Sequence, residues 1–373
     1  MPRMLSVCSA GGLAGVRSAA TKLLVPLEWS MPMRVLVTTL SACLLAACAS
    51  APELRAPPPV GAKTLPIKVA PIKVGIALGG GAAKGFAHIG VIKMLEANGI
   101  QPMAVAGTSA GSVVGALYAS GMDAFAMQEN AFALDESKIR DVSFFSGGVV
   151  KGQKLQDYVN ELVGGRSIEK MRKPFAAVAT QLETGERTVF VRGNTGQAVR
   201  ASSSIPGVFE AVKIGKVHYV DGGVTSPVPV DAARQLGAEF VIAVDISSKA
   251  DGIASSTSML GNINQSVRIM GQKLGALELE RADSVIRPKV NDIGPTDFEQ
   301  KNRAILEGER AALAALPQIK AKLAKLQAQR VAKAQQAADA VVERDVEAER
   351  VARCAKQQGW MDRLTRDPDC RGG

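Results

Sequence analysis

A chain of 373 residues with 47% hydrophobic and only 4% aromatic side chains holds enough apolar material for a full core, in one large domain or two medium ones. Its 45 lysines and arginines against 35 acidic residues leave a net charge of +10, which favours an anionic partner surface, either nucleic acid or phospholipid headgroups. Zinc-finger spacing, an aromatic-rich RNA-binding signature and a compact basic block are all missing, which argues against nucleic acid and for a membrane.

The first predicted element is an export signal. Met33 and Arg34 precede an apolar run from Val35 to Leu45 that is too short to span a bilayer, and Met31 or Met33 is the more natural start for its charged n-region. Leu45-Ala46-Ala47-Cys48 resembles the bacterial lipobox, in which the cysteine is lipidated and becomes the mature N-terminus; an ordinary signal peptide with a chance cysteine is the alternative. Residues 1–47 are therefore expected to be a signal region, and 48–71 a lipidated Cys48 followed by a tether rich in proline and alanine. By resemblance to bacterial lipoproteins, Ala49 favours sorting to the outer membrane, facing the periplasm.

From residue 72 the pattern becomes globular. "IKVGIAL" (72–78) reads as a strand ending in Gly79-Gly80-Gly81, followed by a helical pattern from Lys84 to Asn98. The arrangement repeats: "MAVAGT" (103–108) is a strand, and "AGSVVGALYASG" is the helix after it, closed by Gly121. Further strands are expected at 175–182, 186–191, 217–222 and 240–246. Strand, glycine turn and helix in succession imply a mainly parallel sheet with helices on both faces, an α/β class, and the carboxyl ends of its strands gathered at one rim. After Asp251 the pattern is helical. An Ala/Lys/Glu/Arg-rich helix with Leu313, Leu316, Ile319, Leu323 and Leu326 follows, which Pro317 is expected to kink or restart. Residues 72–316 are thus assigned to the globular domain and 317–373 to a basic helical extension that packs on the core or pairs with a second copy as a homodimer. In an oxidising periplasm Cys354 and Cys370 are candidates for a disulfide, though spacing alone does not fix it.

Chemistry concentrates at three glycine-rich turns. Gly107-Thr108-Ser109-Ala110-Gly111 has the G-x-S-x-G spacing of a nucleophilic serine on a tight strand-to-helix turn. Its base is open to choice, because only His88 and His218 are available as histidines, and only His218 follows Ser109 as a hydrolase triad of the usual chain order requires. The third candidate is Asp221, which stands at a predicted strand end before Gly222 and Gly223. Walker A and dinucleotide readings of the first glycine loop fail on spacing, since Lys84 precedes Gly85-Phe86, and two isolated histidines with dispersed cysteines offer no metal cluster. No cofactor is expected.

Together, "GGGAAKGFAHIGVI", "GTSAG", "ASSSIPGVF" (201–209) and "DGG" resemble, in that order, the motifs of the patatin-like phospholipases, over about residues 73–315. The resemblance implies a three-layer α/β/α fold and a Ser109–Asp221 dyad hydrolysing acyl esters of membrane lipids without a histidine. It also implies an oxyanion hole from the amides of Gly80, Gly81 and Ala82. Gly79, Lys84 and Gly85, with Gly107, Gly111, Gly222 and Gly223, shape the turns. The loop departs from the family's pattern at Ala82, which stands where a third glycine is usual when Lys84-Gly85 is taken as the anchor. A non-catalytic envelope lipoprotein with a vestigial hydrolase fold is the alternative from another function class.

Overall fold

The computed structural model of the chain describes residues 67–135, 141–143, 149–248, 259–357 and 370. The signal region 1–47, Cys48 and most of the tether lie outside the described residues.

An eight-stranded sheet forms the middle layer, in the order β10-β9-β1-β2-β5-β8-β7, with β6 also paired to β5. Its strands are β1 (Val74–Leu78), β2 (Ala104–Thr108), β5 (Phe175–Gln181), β6 (Arg187–Phe190), β7 (Val212–Ile214), β8 (Val217–Asp221), β9 (Phe240–Val244) and β10 (Ser284–Ile286). A separate antiparallel pair, β3 (Val142–Ser143) and β4 (Val149–Val150), lies off this sheet. The central strands are short, continuous apolar runs because both faces are covered. Alternate residues go to opposite layers. Ile76, Leu78, Val105, Phe240 and Ile242 pack against α1 (Ala87–Ala97), α2 (Ala110–Ser120) and the start of α8 (Lys301–Lys356). Ala77, Ala106, Val178 and Val241 face α6 (Val230–Gln235) and the end of α7 (Met259–Leu279). Between these come α3 (Ala124–Ala133), α4 (Gln153–Leu162) and α5 (Thr195–Ser202).

The sheet is mainly parallel, as expected: β10, β9, β1, β2 and β5 run parallel, and β6, β7 and β8 join antiparallel. Pro317 does not restart α8, which runs as one helix from Lys301 to Lys356; the burial of Ala312, Leu316 and Ile319 anchors both sides of the lost hydrogen bond. The expected boundary between 316 and 317 consequently falls inside that helix. Beyond the expected helices, the region after Asp251 also contains the edge strand β10. At the far end of the described chain, Cys354 and Cys370 are joined in a disulfide, with their Cα atoms 5.5 Å apart.

Candidate active site

Ser109 follows the last residue of β2 and caps α2. Its φ of 52° is matched among the described non-glycine residues only by Ala82, at 50°. Two side-chain-bearing residues held in a region that favours glycine, both beside one cavity, mark a place where the surrounding structure imposes the backbone. Tight crossing explains the flanking glycines. A Cβ on Gly107 would stand 2.3 Å from the Gly111 carbonyl oxygen, and one on Gly111 would stand 2.1 Å from that of Leu78. The turn thereby lifts the Ser109 side chain onto the sheet rim, above the N–H end of α2.

Asp221 reaches the same rim by a different route from the one the sequence suggests. β6 pairs with Ala177 to Thr180 along one edge of β5, so β2 and β8 must share the opposite edge. On that edge β2 climbs as far as Thr108, opposite Val178, and β8 descends from Tyr219 to Asp221, opposite Ala179. The two strands meet end to end. Gly222 turns the chain away so closely that a Cβ there would lie 2.1 Å from the Val178 carbonyl oxygen.

The junction is cross-braced. Ser202 Oγ accepts the Ser109 N–H at 2.9 Å and donates to the Val178 carbonyl at 2.6 Å. The Asp221 N–H donates to the Ser204 carbonyl at 2.9 Å, and the Thr108 hydroxyl donates to the Ser226 carbonyl at 2.8 Å. Ser109 and Asp221 are each nearly buried, at 5% and 6% exposure. The Asp221 carboxylate accepts the Gly223 N–H at 2.7 Å, and the Ser109 side chain is near enough to lower its affinity for a proton. Burial outweighs both influences and pushes the carboxyl up to about 6.

The glycine loop lies against this pair, for a Cβ on Gly80 would stand 3.3 Å from that of Ser109. Its amides are not equivalent. The Gly79 N–H is held by the Val244 carbonyl and the Gly80 N–H by the Pro227 carbonyl, each at 3.0 Å, so Gly80 is not available as the oxyanion donor the sequence suggested. Gly81 and Ala82 are the loop amides that donate to no backbone carbonyl among the described residues. Gly85 packs against Ala110. Lys84 is buried and donates to the Ser248 hydroxyl, which ties the loop to the segment after β9; burial and the nearby Arg268 lower its ammonium to about 8, against the pull of Asp245.

Neither histidine reaches Ser109 as a base. His88 is fully buried, with Nε2 2.8 Å from the Gly79 carbonyl oxygen, so Nε2 carries the proton and holds the loop in place. Burial lowers its ring to about 4. His218 lies on β8 with Nδ1 2.7 Å from Glu183 Oε1, in an exposed contact.

Beside Ser109 and Ala82 opens a cavity of about 280 Å³ with apolar walls that include Val113, Leu155, Tyr158, Ile205 and Phe298. The "ASSSIPGVF" block, legible in sequence without a role, supplies part of this wall through Ile205, Val208 and Phe209, and the brace at Ser202.

Residues 76–234 match the family model described as patatin-like phospholipase. That segment is similar to the patatin-like phospholipases. An uncharacterized NTE family protein of Mycobacterium tuberculosis is 36% identical over 183 residues, covering 48% of this chain and 51% of the relative. A second NTE family protein of that species is 30% identical over 269 residues, covering 65% of this chain and 46% of the relative. Patatin-like phospholipase domain-containing protein 6 of Mus musculus is 31% identical over 184 residues, 47% of this chain and 14% of its own length. The chain thus spans about half the length of the mycobacterial relatives it matches. Among solved structures, VipD from Legionella pneumophila overlays with a TM-score of 0.45 at 16% identity over 67% of each chain. Within the patatin-like segment lie the glycine loop, Ser109 and Asp221; α7, β10 and α8 come after it.

Proposed function

We propose that the protein is a serine esterase that cleaves the acyl esters of lipids through a Ser109–Asp221 dyad, by way of an acyl-enzyme. The observation that carries this reading is the meeting of β2 and β8 end to end, which brings a serine on a strained backbone and a buried carboxylate to one point of the sheet rim, next to loop amides and an apolar cavity.

In this mechanism Ser109 Oγ attacks the ester carbonyl carbon while its proton passes to Asp221. The carbonyl oxygen becomes an oxyanion facing the Gly81 and Ala82 amides, and the loss of one such donor typically lowers turnover by about a hundredfold or more. Collapse of the tetrahedral intermediate breaks the bond to the leaving alcohol, which takes the proton from Asp221. A water then gives a proton to Asp221, attacks the acyl-enzyme and releases the fatty acid, and the proton returns to Ser109. An aspartate with its usual affinity for protons is a weak base for an alcohol; raising it to about 6 keeps it ionised at neutral pH while increasing its basicity. The walls around Val113, Leu155 and Phe298 suit a hydrocarbon chain over a polar acyl group.

Anchoring through Cys48 in the bacterial envelope, on the periplasmic side of the outer membrane, completes the proposal. The Cys354–Cys370 disulfide supports an oxidising compartment, and a tether of this kind keeps the enzyme near its lipid. A fluorophosphonate probe tests the chemistry. It is expected to label wild type but not Ser109→Ala, and Ser109→Ala is expected to release no fatty acid from a synthetic ester; turnover retained by that variant would refute the assignment.

A further inference from the structure

Glu278, in the last turn of α7, is a buried carboxylate that the mechanism above does not use; it lies well outside the segment matched to the family model. Its Oε1 accepts the Ser226 hydroxyl and its Oε2 accepts the Val228 N–H at 2.8 Å. Both bonds go to one short segment, Ser226-Pro227-Val228, whose carbonyls face the other way. The Ser226 carbonyl accepts the Thr108 hydroxyl at 2.8 Å, and the Pro227 carbonyl accepts the Gly80 N–H at 3.0 Å. The Ser226 N–H closes back on the Gly222 carbonyl at 2.7 Å. One segment therefore touches the residue before the nucleophile, the glycine loop and the turn after Asp221, and Glu278 grips it from behind.

A carboxylate fits this task because it offers two acceptors in one plane to a hydroxyl and an amide donor on the same stretch of chain. It is also an expensive choice. Burial pushes Glu278 up to about 7 despite those two bonds and the neighbouring Arg187 and Arg281, so a purely space-filling role would be served better by an apolar side chain.

We propose that Glu278 is a positioning residue of the hydrolytic site, which holds the Ser226–Val228 segment so that Ser109 and the oxyanion amides stay in register with each other. The inference rests on the serine-esterase reading. Its effect belongs to the transition state, since misalignment of the donors weakens binding of the developing oxyanion more than binding of the ground-state ester.

The test compares kcat and KM of Glu278→Ala, Glu278→Gln, Ser226→Ala and Ser109→Ala with wild type on one soluble acyl ester, with active sites counted by end-point fluorophosphonate labelling. Misplacement by about 1 Å costs on the order of a hundredfold, so Glu278→Ala is expected to lower kcat about tenfold to a hundredfold with little change in KM. Glutamine keeps an oxygen for the Val228 N–H and an N–H for the Ser226 hydroxyl, so Glu278→Gln is expected to recover kcat to within about threefold of wild type. Ser226→Ala, which removes one of the two bonds, should fall between them. Wild-type kcat in Glu278→Ala, or an equal loss in the Ala and Gln variants, overturns the positioning role. Should Glu278→Ala fail to fold, Ser226→Ala decides: lowered kcat at constant KM supports the role and wild-type kcat ends it. Hydrolysis surviving in Ser109→Ala would instead end the esterase reading itself, whatever Glu278 does.

Discussion

Asp221→Asn separates what the buried carboxyl does for chemistry from what it does to stability. Burial raises the group from 3.8 to about 6, against the opposing influence of Ser109 and of the Gly223 N–H. At about 1.4 kcal/mol per unit, a rise of roughly two units means that the ionised form costs the folded state about 3 kcal/mol. Because the folded protein binds this proton more tightly than the unfolded chain, the stability contributed by the group falls as pH rises from 3.8 through about 6, and stays low above that. Asparagine carries no charge, and its Oδ1 can still accept the Gly223 N–H. At pH 8 the variant is expected to be more stable than wild type by up to about 3 kcal/mol, with the gap closing towards pH 4. Its ester hydrolysis should at the same time fall by roughly a hundredfold to ten-thousandfold, the usual contribution of a general base. Urea unfolding followed by circular dichroism at pH 4, 6 and 8 measures the first effect, with the disulfide kept oxidised throughout. A variant less stable than wild type at pH 8, or a difference independent of pH, would show that burial does not raise the carboxyl and would remove the reason for its basicity.

The same group sets the pH profile. In wild type kcat/KM is expected to fall on the acid side of about pH 6, by about tenfold per unit, as Asp221 takes up its proton; a flat profile between about pH 4.5 and 7 would count against Asp221 as the base. For the anchor, an alkyne-tagged fatty acid fed to a bacterial host is expected to label wild type and leave Cys48→Ala unlabelled and released from the membrane fraction. Wild-type protein that takes up no label would end that part of the proposal.

Much of the site was legible in the sequence because its parts are local. A strand, a glycine turn and a helix leave a strong signal within about fifteen residues, so Ser109 and the glycine loop are readable from the sequence alone. Asp221 was also placed at a strand end, but the reason was wrong. Parallel strands do not bring it to Ser109; β8 runs against β5, and only its early stop at Ala179 leaves the carboxyl at the rim. Strand direction depends on pairings between distant residues that no short window encodes. The error at Gly80 has a similar origin, since its N–H is taken by Pro227, almost 150 positions away. β7 and β10 were missed because three residues are too few to display a period of two. Glu278 left no local trace at all: beside Glu280 and Arg281 it reads as one more polar residue at the end of a helix, and its partners lie some fifty positions earlier.

The head-on arrangement of β2 and β8 makes β5 a ruler. Consecutive residues on that strand, Val178 and Ala179, sit opposite the two ends that bring hydroxyl and carboxyl together, so the gap between them is a single peptide unit on a strand that contributes no reacting group. Side chains around the cavity can therefore be exchanged to suit another acyl chain while the distance between the reacting atoms stays under main-chain control. Lengthening β5 by one residue at that point would do the reverse, leaving every pocket-lining residue in place while uncoupling the pair.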